Sequence, residues 1–314
     1  DKAFEAAVAA VPPTIDLSGS RPRLRRERRV RRLFTGAAIT SILISLLIVG
    51  SLVEEAWGFI SNVDLSSLWD MGWFPRRGMF DIKTVFLGTL LISLIAMLVA
   101  TPLGLGAAIY LSEYARPRAR RWLKPILEVL AGIPSVVLGY FALTWISPNL
   151  VMRLNPHAGV FSMAAAGIAV GILVTPLVAS VTEDAMRAVP HALREASYGL
   201  GAKKATTVTR IVFPAAASGI VASLILGLSR AIGETMVVAM AAGAVGGSLF
   251  QVNVFEPGQT MTAAMSALAI GSDQVAGSTL AFQSLFFLGL LLFLMTLALN
   301  LISDRFVRKV REKY

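Results

Sequence analysis

Long apolar runs alternate along this chain with shorter polar segments that are mostly basic. The runs fall at about residues 33–53, 84–112, 123–146, 158–181, 215–247 and 278–302. Each is near or above the roughly 20 residues that a helix needs to cross a bilayer. The pattern predicts an all-α, polytopic integral membrane protein with six transmembrane helices. A smaller apolar patch, 261–270, interrupts the polar stretch 248–277 and reads as a short helix dipping back. The chain divides into a basic tail (1–32), a first transmembrane helix with an outer segment (33–83), a core (84–303) enclosing the polar loop 182–214, and a second basic tail (304–314).

Composition agrees with the pattern. At 314 residues, length alone would permit one or two soluble domains. A chain that is 55% apolar and 15% charged is a membrane protein instead. The net charge of +10 does not point to nucleic acid as a partner, because the basic residues flank the apolar runs. Twenty-three of the 29 Lys and Arg lie in 21–32, 113–124, 182–214 and 304–314, and four lie in the alternate segments 54–83, 147–157 and 248–277. The positive-inside rule places both termini and the 182–214 loop in the cytoplasm. Trp57, Trp69, Trp73 and Phe74 in the first outer segment suit a membrane–water interface. The run 33–53 is too long for a signal peptide. There is no cysteine, and His157 and His191 are the two histidines, so neither a disulfide nor a metal site nor a cofactor is expected.

Candidate chemistry concentrates in two places. The first is the 182–214 loop. Glu183 and Asp184 open it, as suits a helix N-terminus, Pro190 divides it, and Gly201 permits a turn. The second is Arg230 and Glu234, inside the fifth apolar run, where an arginine costs about 2.5–3.5 kcal/mol on insertion scales. Four residues apart near the middle of that span, the two are expected to lie on one helix face, with Ser223 and Gly227 continuing the stripe. They would then form either an intrahelical ion pair that orders the bundle or an anion route in which Glu234 holds Arg230. An unpaired arginine would bind an anion too tightly for release. Pro102, Pro134 and Pro176 with Gly104, Gly106 and Gly132 predict kinks, close packing or broken helices. No internal repeat argues for an inverted-repeat transporter.

Catalytic motifs are missing. The nearest approach to a P-loop, Gly199-Leu200-Gly201-Ala202-Lys203-Lys204, has the wrong spacing, and neither His-Glu-x-x-His nor Gly-x-Ser-x-Gly occurs. No catalytic residue is assigned, and the chain reads as a transport subunit rather than an enzyme.

The loop carries a specific spacing: Glu195-Ala196-Ser197, three residues, Gly201, nine residues, Ile211-Val212-Phe213-Pro214. It resembles the coupling loop of type I ABC-importer permeases, Glu-Ala-Ala, x3, Gly, x9, Ile-x-Leu-Pro. Ser197 and Phe213 depart mildly from it. Gly227-Leu-Ser-Arg230-Ala-Ile-Gly233-Glu234-Thr235-Met236, together with Ala131-Gly-Ile-Pro-Ser135 and Pro257-Gly-Gln-Thr-Met-Thr-Ala263, resembles the PstC-type permease family of phosphate ABC importers. The resemblance covers residues 84–308 and implies several expectations. Glu195, Ala196, Gly201, Ile211 and Pro214 would couple to an ATPase subunit dimer. Arg230, Glu234 and Ser135 would line the route of inorganic phosphate. The partners would be a second, related permease, an extracytoplasmic phosphate-binding protein docking on 54–83 and 248–277, and the lipid of a bacterial cytoplasmic (inner) membrane. Permeases for sulfate, molybdate or phosphonate share the coupling loop. A proton-coupled transporter using Glu234 would leave that loop unexplained.

Overall fold

A computed structural model describes residues 21–243, 246–270 and 279–310. The expected tail 1–20 and the last residues, 311–314, lie outside the described residues. The chain forms two units, residues 1–51 and 52–314.

Helix α1, Arg21–Asn62, joins the basic segment and the first apolar run into one rod. Its apolar part, Glu27–Asn62, is the first of five helices long and apolar enough to cross a membrane. The second is α2, Ile82–Ile109, prolonged by a π-helical turn, Tyr110–Tyr114. Asp81 caps it by accepting from the Lys83 amide. Helix α3, Pro117–Ala131, comes next, with Pro117 in its first turn. Helix α4, Ser135–Phe141, continues through the π-helical Ala142–Val151 to Leu154 as the third span. Helix α5, Met163–Arg187, is the fourth span, capped where Ser162 Oγ accepts from the Ala165 amide. Helix α6, His191–Gly199, leads to α7, Lys204–Ala215, and α8, Ala217–Ile232. The last two are bent by 70° and make a sixth span if taken together. Short α9, Met236–Ala241, and α10, Met261–Ile270, precede α11, Thr279–Val310, which contains the final long span.

The core is built on α2 and α5. Ile92, Ala96 and Ala100 of α2 meet Ala165, Ala166, Ala169 and Val170 of α5. Small residues let these backbones approach. A Cβ added at Gly167 would lie 2.7 Å from Ile95 Cβ, and one at Gly171 would lie 2.7 Å from Val99 Cβ. Pro102 and Pro176 sit within continuous helices, so they do not break them.

Two expected spans begin or end elsewhere. The third starts at Ser135 rather than near 123, because residues 123–131 belong to α3. That helix is amphipathic: Arg118, Arg120, Arg121 and Lys124 share it with exposed Trp122, Ile126 and Val129. Gly132–Pro134 separates it from α4. The fifth apolar run is likewise not one helix: α8 stops at Ile232 and α9 starts at Met236.

The outer segments hold a small sheet that alternation did not reveal. Strands β1, Gly72–Phe74, and β2, Met79–Phe80, pair antiparallel, and β1 also pairs antiparallel with β3, Ser248–Leu249. The two segments expected to dock a partner are thereby fastened together. Trp73 is buried there with Phe80 and Phe59, while Trp57 and Trp69 are exposed.

Candidate functional site

The 182–214 loop folds around a stapled helix. After Pro190, α6 ends in a Schellman turn: the Ala202 amide donates to Ser197 O at 3.1 Å, and the Gly201 amide donates to Tyr198 O at 2.9 Å. Gly201 has φ +76°, in the left-handed region where a side chain is strained. The exposed face of α6 carries Ala192, Glu195, Ala196 and Gly199, four short steps apart on one stripe. It is thus a thin ridge with a single carboxylate. The opposite face is fixed. Ser197, one of the departures from the family pattern, is buried and shares a 2.9 Å hydrogen bond with the Thr207 hydroxyl of α7. Beneath lies an apolar cluster of Met186, Val189, Val208, Val212, Ala216 and Ile220, against which Phe213 packs. Ile211 is half-buried and Pro214 exposed on the same short helix.

Sequence reasoning missed the strongest staple, Arg194. Its guanidinium is only 11% exposed and donates to Val189 O (2.6 Å), Met186 O (2.8 Å) and Glu113 Oε1 (3.1 Å). One side chain therefore ties α6 to the ends of α5 and α2. Its position beside Glu195, inside an otherwise mixed loop, gave no distinctive signal.

Glu183 and Asp184 are not at a helix N-terminus. They lie in the last turns of α5, where the helix dipole disfavours negative charge. Cations from α3 compensate. Arg120 Nε donates to Glu183 Oε1 at 2.7 Å, and Lys124 Nζ lies 3.3 Å from Glu183 Oε2 and 2.9 Å from Asp184 Oδ1. Glu183 is wholly buried. The hydrogen bond to Asp184 holds the Lys124 ammonium above its usual pKa, opposed by burial and aided by the Glu183 charge.

The second region is open by contrast. Ile220, Ser223, Gly227 and Ala231 form the buried stripe of α8. Ser223 shares a 2.6 Å hydrogen bond with Thr182 of α5. Arg230 sits at the edge of that stripe and is exposed. Among the described residues it makes no ion pair, so the intrahelical pair with Glu234 is not formed. The physical reason is the helix end: Gly233 caps α8, and Glu234 falls in the break before α9. There its side chain accepts from the Val237 amide at 3.3 Å, and its carbonyl accepts from the Thr262 hydroxyl at 2.8 Å. Beside Arg230, Ser229 Oγ is buried without a hydrogen-bond partner. Just beyond Glu234, Thr235, Thr262 and Ser266 line a shallow cavity of about 280 Å³. Ser135 opens α4 and is half-buried. A Cβ at Gly139 of the same helix would lie 3.1 Å from Met240 Cβ of α9, which shows how closely these two helices meet. No group of three or more potential metal ligands occurs among the described residues.

Comparison with known proteins places this geometry. Residues 100–312 match the family described as binding-protein-dependent transport system inner membrane component. The chain is 31% identical over 306 residues to the phosphate transport system permease protein PstC of Pasteurella multocida, covering 91% of this chain and 92% of that protein. It is 32% identical over 222 residues to the probable ABC transporter permease protein YqgH of Bacillus subtilis, covering 69% and 72%. Its fold matches a chain of a bacterial ABC transporter involved in the import of the acidic polysaccharide alginate, with TM-score 0.63, 16% identity, and coverage of 92% and 100%. A chain of the MetNI methionine ABC transporter gives TM-score 0.55 at 19% identity, covering 72% and 94%. The chain is a multi-pass membrane protein with an ABC-importer permease fold, and it belongs to the inner membrane component family of binding-protein-dependent transport systems.

Proposed function

We propose that this chain is one permease subunit of an ATP-driven importer of inorganic phosphate. The observation that carries the reading is an arginine without an ion pair among the described residues, Arg230, at the edge of a buried helix stripe and beside a break in the span. A charge in an apolar helix marks a substrate route by default. Similarity to PstC proteins supports phosphate as the cargo. The buried hydroxyl of Ser229, without a hydrogen-bond partner among the described residues, offers a donor for an oxyanion near that arginine. Glu234, half-buried in the break, keeps the empty route near neutral. Ser135 enters the same route from α4.

Phosphate would arrive on an extracytoplasmic binding protein docked on the sheet-bearing outer segments. It would pass between this chain and a second, related permease. An ATPase dimer would drive the cycle through the α6 ridge, with Glu195 and Ala196 in contact and Gly201, Ile211 and Pro214 shaping the support. Both termini would then be cytoplasmic. Glu195→Lys places a cation on that ridge and is expected to weaken ATPase association in a pull-down.

The test is uptake of labelled phosphate into vesicles holding the full complex, with sulfate and molybdate as competitors. The reading expects uptake that requires both ATP and the binding protein and resists the competitors. Uptake of another oxyanion would remove the phosphate assignment, and uptake driven by a proton gradient alone would remove the importer.

A further inference from the structure

A second charged site lies at the cytoplasmic end of the bundle, apart from Arg230. A cavity of about 740 Å³ opens between the end of α2, the amphipathic α3, the end of α5 and α6. Five permanent cations line it: Arg120, Arg121, Lys124, Arg187 and Arg194. Two carboxylates line it, Glu113 and Glu128. Their demands for partners are unequal. Arg194 is spent on Glu113 and two backbone carbonyls. Arg120 and Lys124 are partly spent on Glu183 and Asp184. Arg121 makes no ion pair among the described residues, and Arg187 reaches Glu183 at only 3.9 Å. The cavity thus keeps a surplus of guanidinium donors on two different elements, α3 and α5.

We propose that this cavity binds a phosphate-group anion through Arg121 and Arg187, with Lys124 adding charge, and that the anion braces α3 against α5 and the α6 staple. Guanidinium forks suit tetrahedral oxyanions, because each presents several N–H donors in a fixed plane. The volume admits an anion with its waters. Two sources share this chemistry, free cytoplasmic phosphate and an anionic lipid headgroup. Trp122, Ile126 and Val129, exposed on the same helix α3 but outside the cavity lining, would hold that helix at a lipid surface and so bring the second source within reach. The consequence for transport rests on the proposed function: an anion bridging α3 and the coupling helix would restrain the cycle. Binding itself does not depend on that reading.

The experiment uses the full chain in nanodiscs. In neutral phosphatidylcholine, equilibrium binding of labelled orthophosphate is measured. In mixed phosphatidylcholine and phosphatidylglycerol, the lipid retained on the released protein is identified by native mass spectrometry. Two variants accompany the wild type: Arg121→Gln with Arg187→Gln, and Arg116→Gln with Arg118→Gln. Arg116 and Arg118 are exposed on the same turn of chain but do not line the cavity. The expected result is a loss of at least tenfold in phosphate affinity, or loss of a retained phosphatidylglycerol, in the cavity variant alone. A change of less than twofold is expected in the Arg116/Arg118 variant, with both variants melting within a few degrees of wild type. Equal losses in the Arg116/Arg118 variant would reduce the effect to surface charge and overturn the site. Binding of neither ligand to wild type would overturn it as well. Unchanged phosphate affinity and unchanged lipid retention in the cavity variant would overturn it too and leave the anion to another site.

Discussion

The 182–214 loop and the Arg230 segment are both marked by charge in the sequence, yet they are held in opposite ways. Arg194 is nearly buried and makes three hydrogen bonds that tie α6 to the ends of α5 and α2. Arg230 is exposed and unpaired among the described residues. A part that transmits force must not yield, so its charges are satisfied and its ridge of small residues is presented on a fixed base. A part that receives and releases an anion must keep its donors available. On the proposed function, the same residue type serves as a staple at one end of the bundle and as a waiting partner for the anion at the break after α8.

The largest effect expected from breaking this contrast is at the staple. Arg194→Ala leaves Glu113 buried and uncompensated, which costs about 3–5 kcal/mol for a broken buried pair. Thermal unfolding of the full chain in detergent checks this, and a shift no larger than that of a surface substitution would show that the staple carries no stability. Gly201→Ala comes next. A side chain at its positive φ costs about 1–2 kcal/mol. The expected outcome is a modest loss of stability with a larger loss of ATPase association, measured by pull-down, because the ridge loses its fixed end. The smallest effect is pH-dependent. Lys124 has its pKa raised in the folded protein, so its contribution is fully present below the unfolded value of 10.5 and is lost as pH rises through the higher folded value. Melting temperature measured across that alkaline window should fall more steeply for wild type than for Lys124→Met.

Much of this was legible in the sequence because it is local. Apolar runs, flanking basic residues and the Glu195–Pro214 spacing are read along the chain, and the α6 turn at Gly201 follows from one glycine. What was illegible depends on partners far apart. Glu183 and Asp184 look like a helix start until Arg120, 63 residues earlier, is found against them. The outer sheet needs β1 and β3, which no nearby turn joins. The span 123–146 misled for a different reason. The apolar face of α3, with Ile126 and Val129, merges by composition with α4, and only Gly132–Pro134 marks the corner. Similarly, Arg230 and Glu234 are four residues apart, a spacing that implies a shared face only while the helix continues, and it ends at Ile232.

The central claim is that Arg230 serves transport and not the bundle. ATP-driven phosphate uptake by the Arg230→Ala complex, compared with wild type at equal assembled protein in vesicles, tests it most directly. The account predicts uptake at background from a complex that assembles and melts like wild type, because an exposed side chain without partners contributes within about 0.5 kcal/mol to stability. Wild-type uptake by the variant, or a loss that merely tracks reduced assembly, would contradict it.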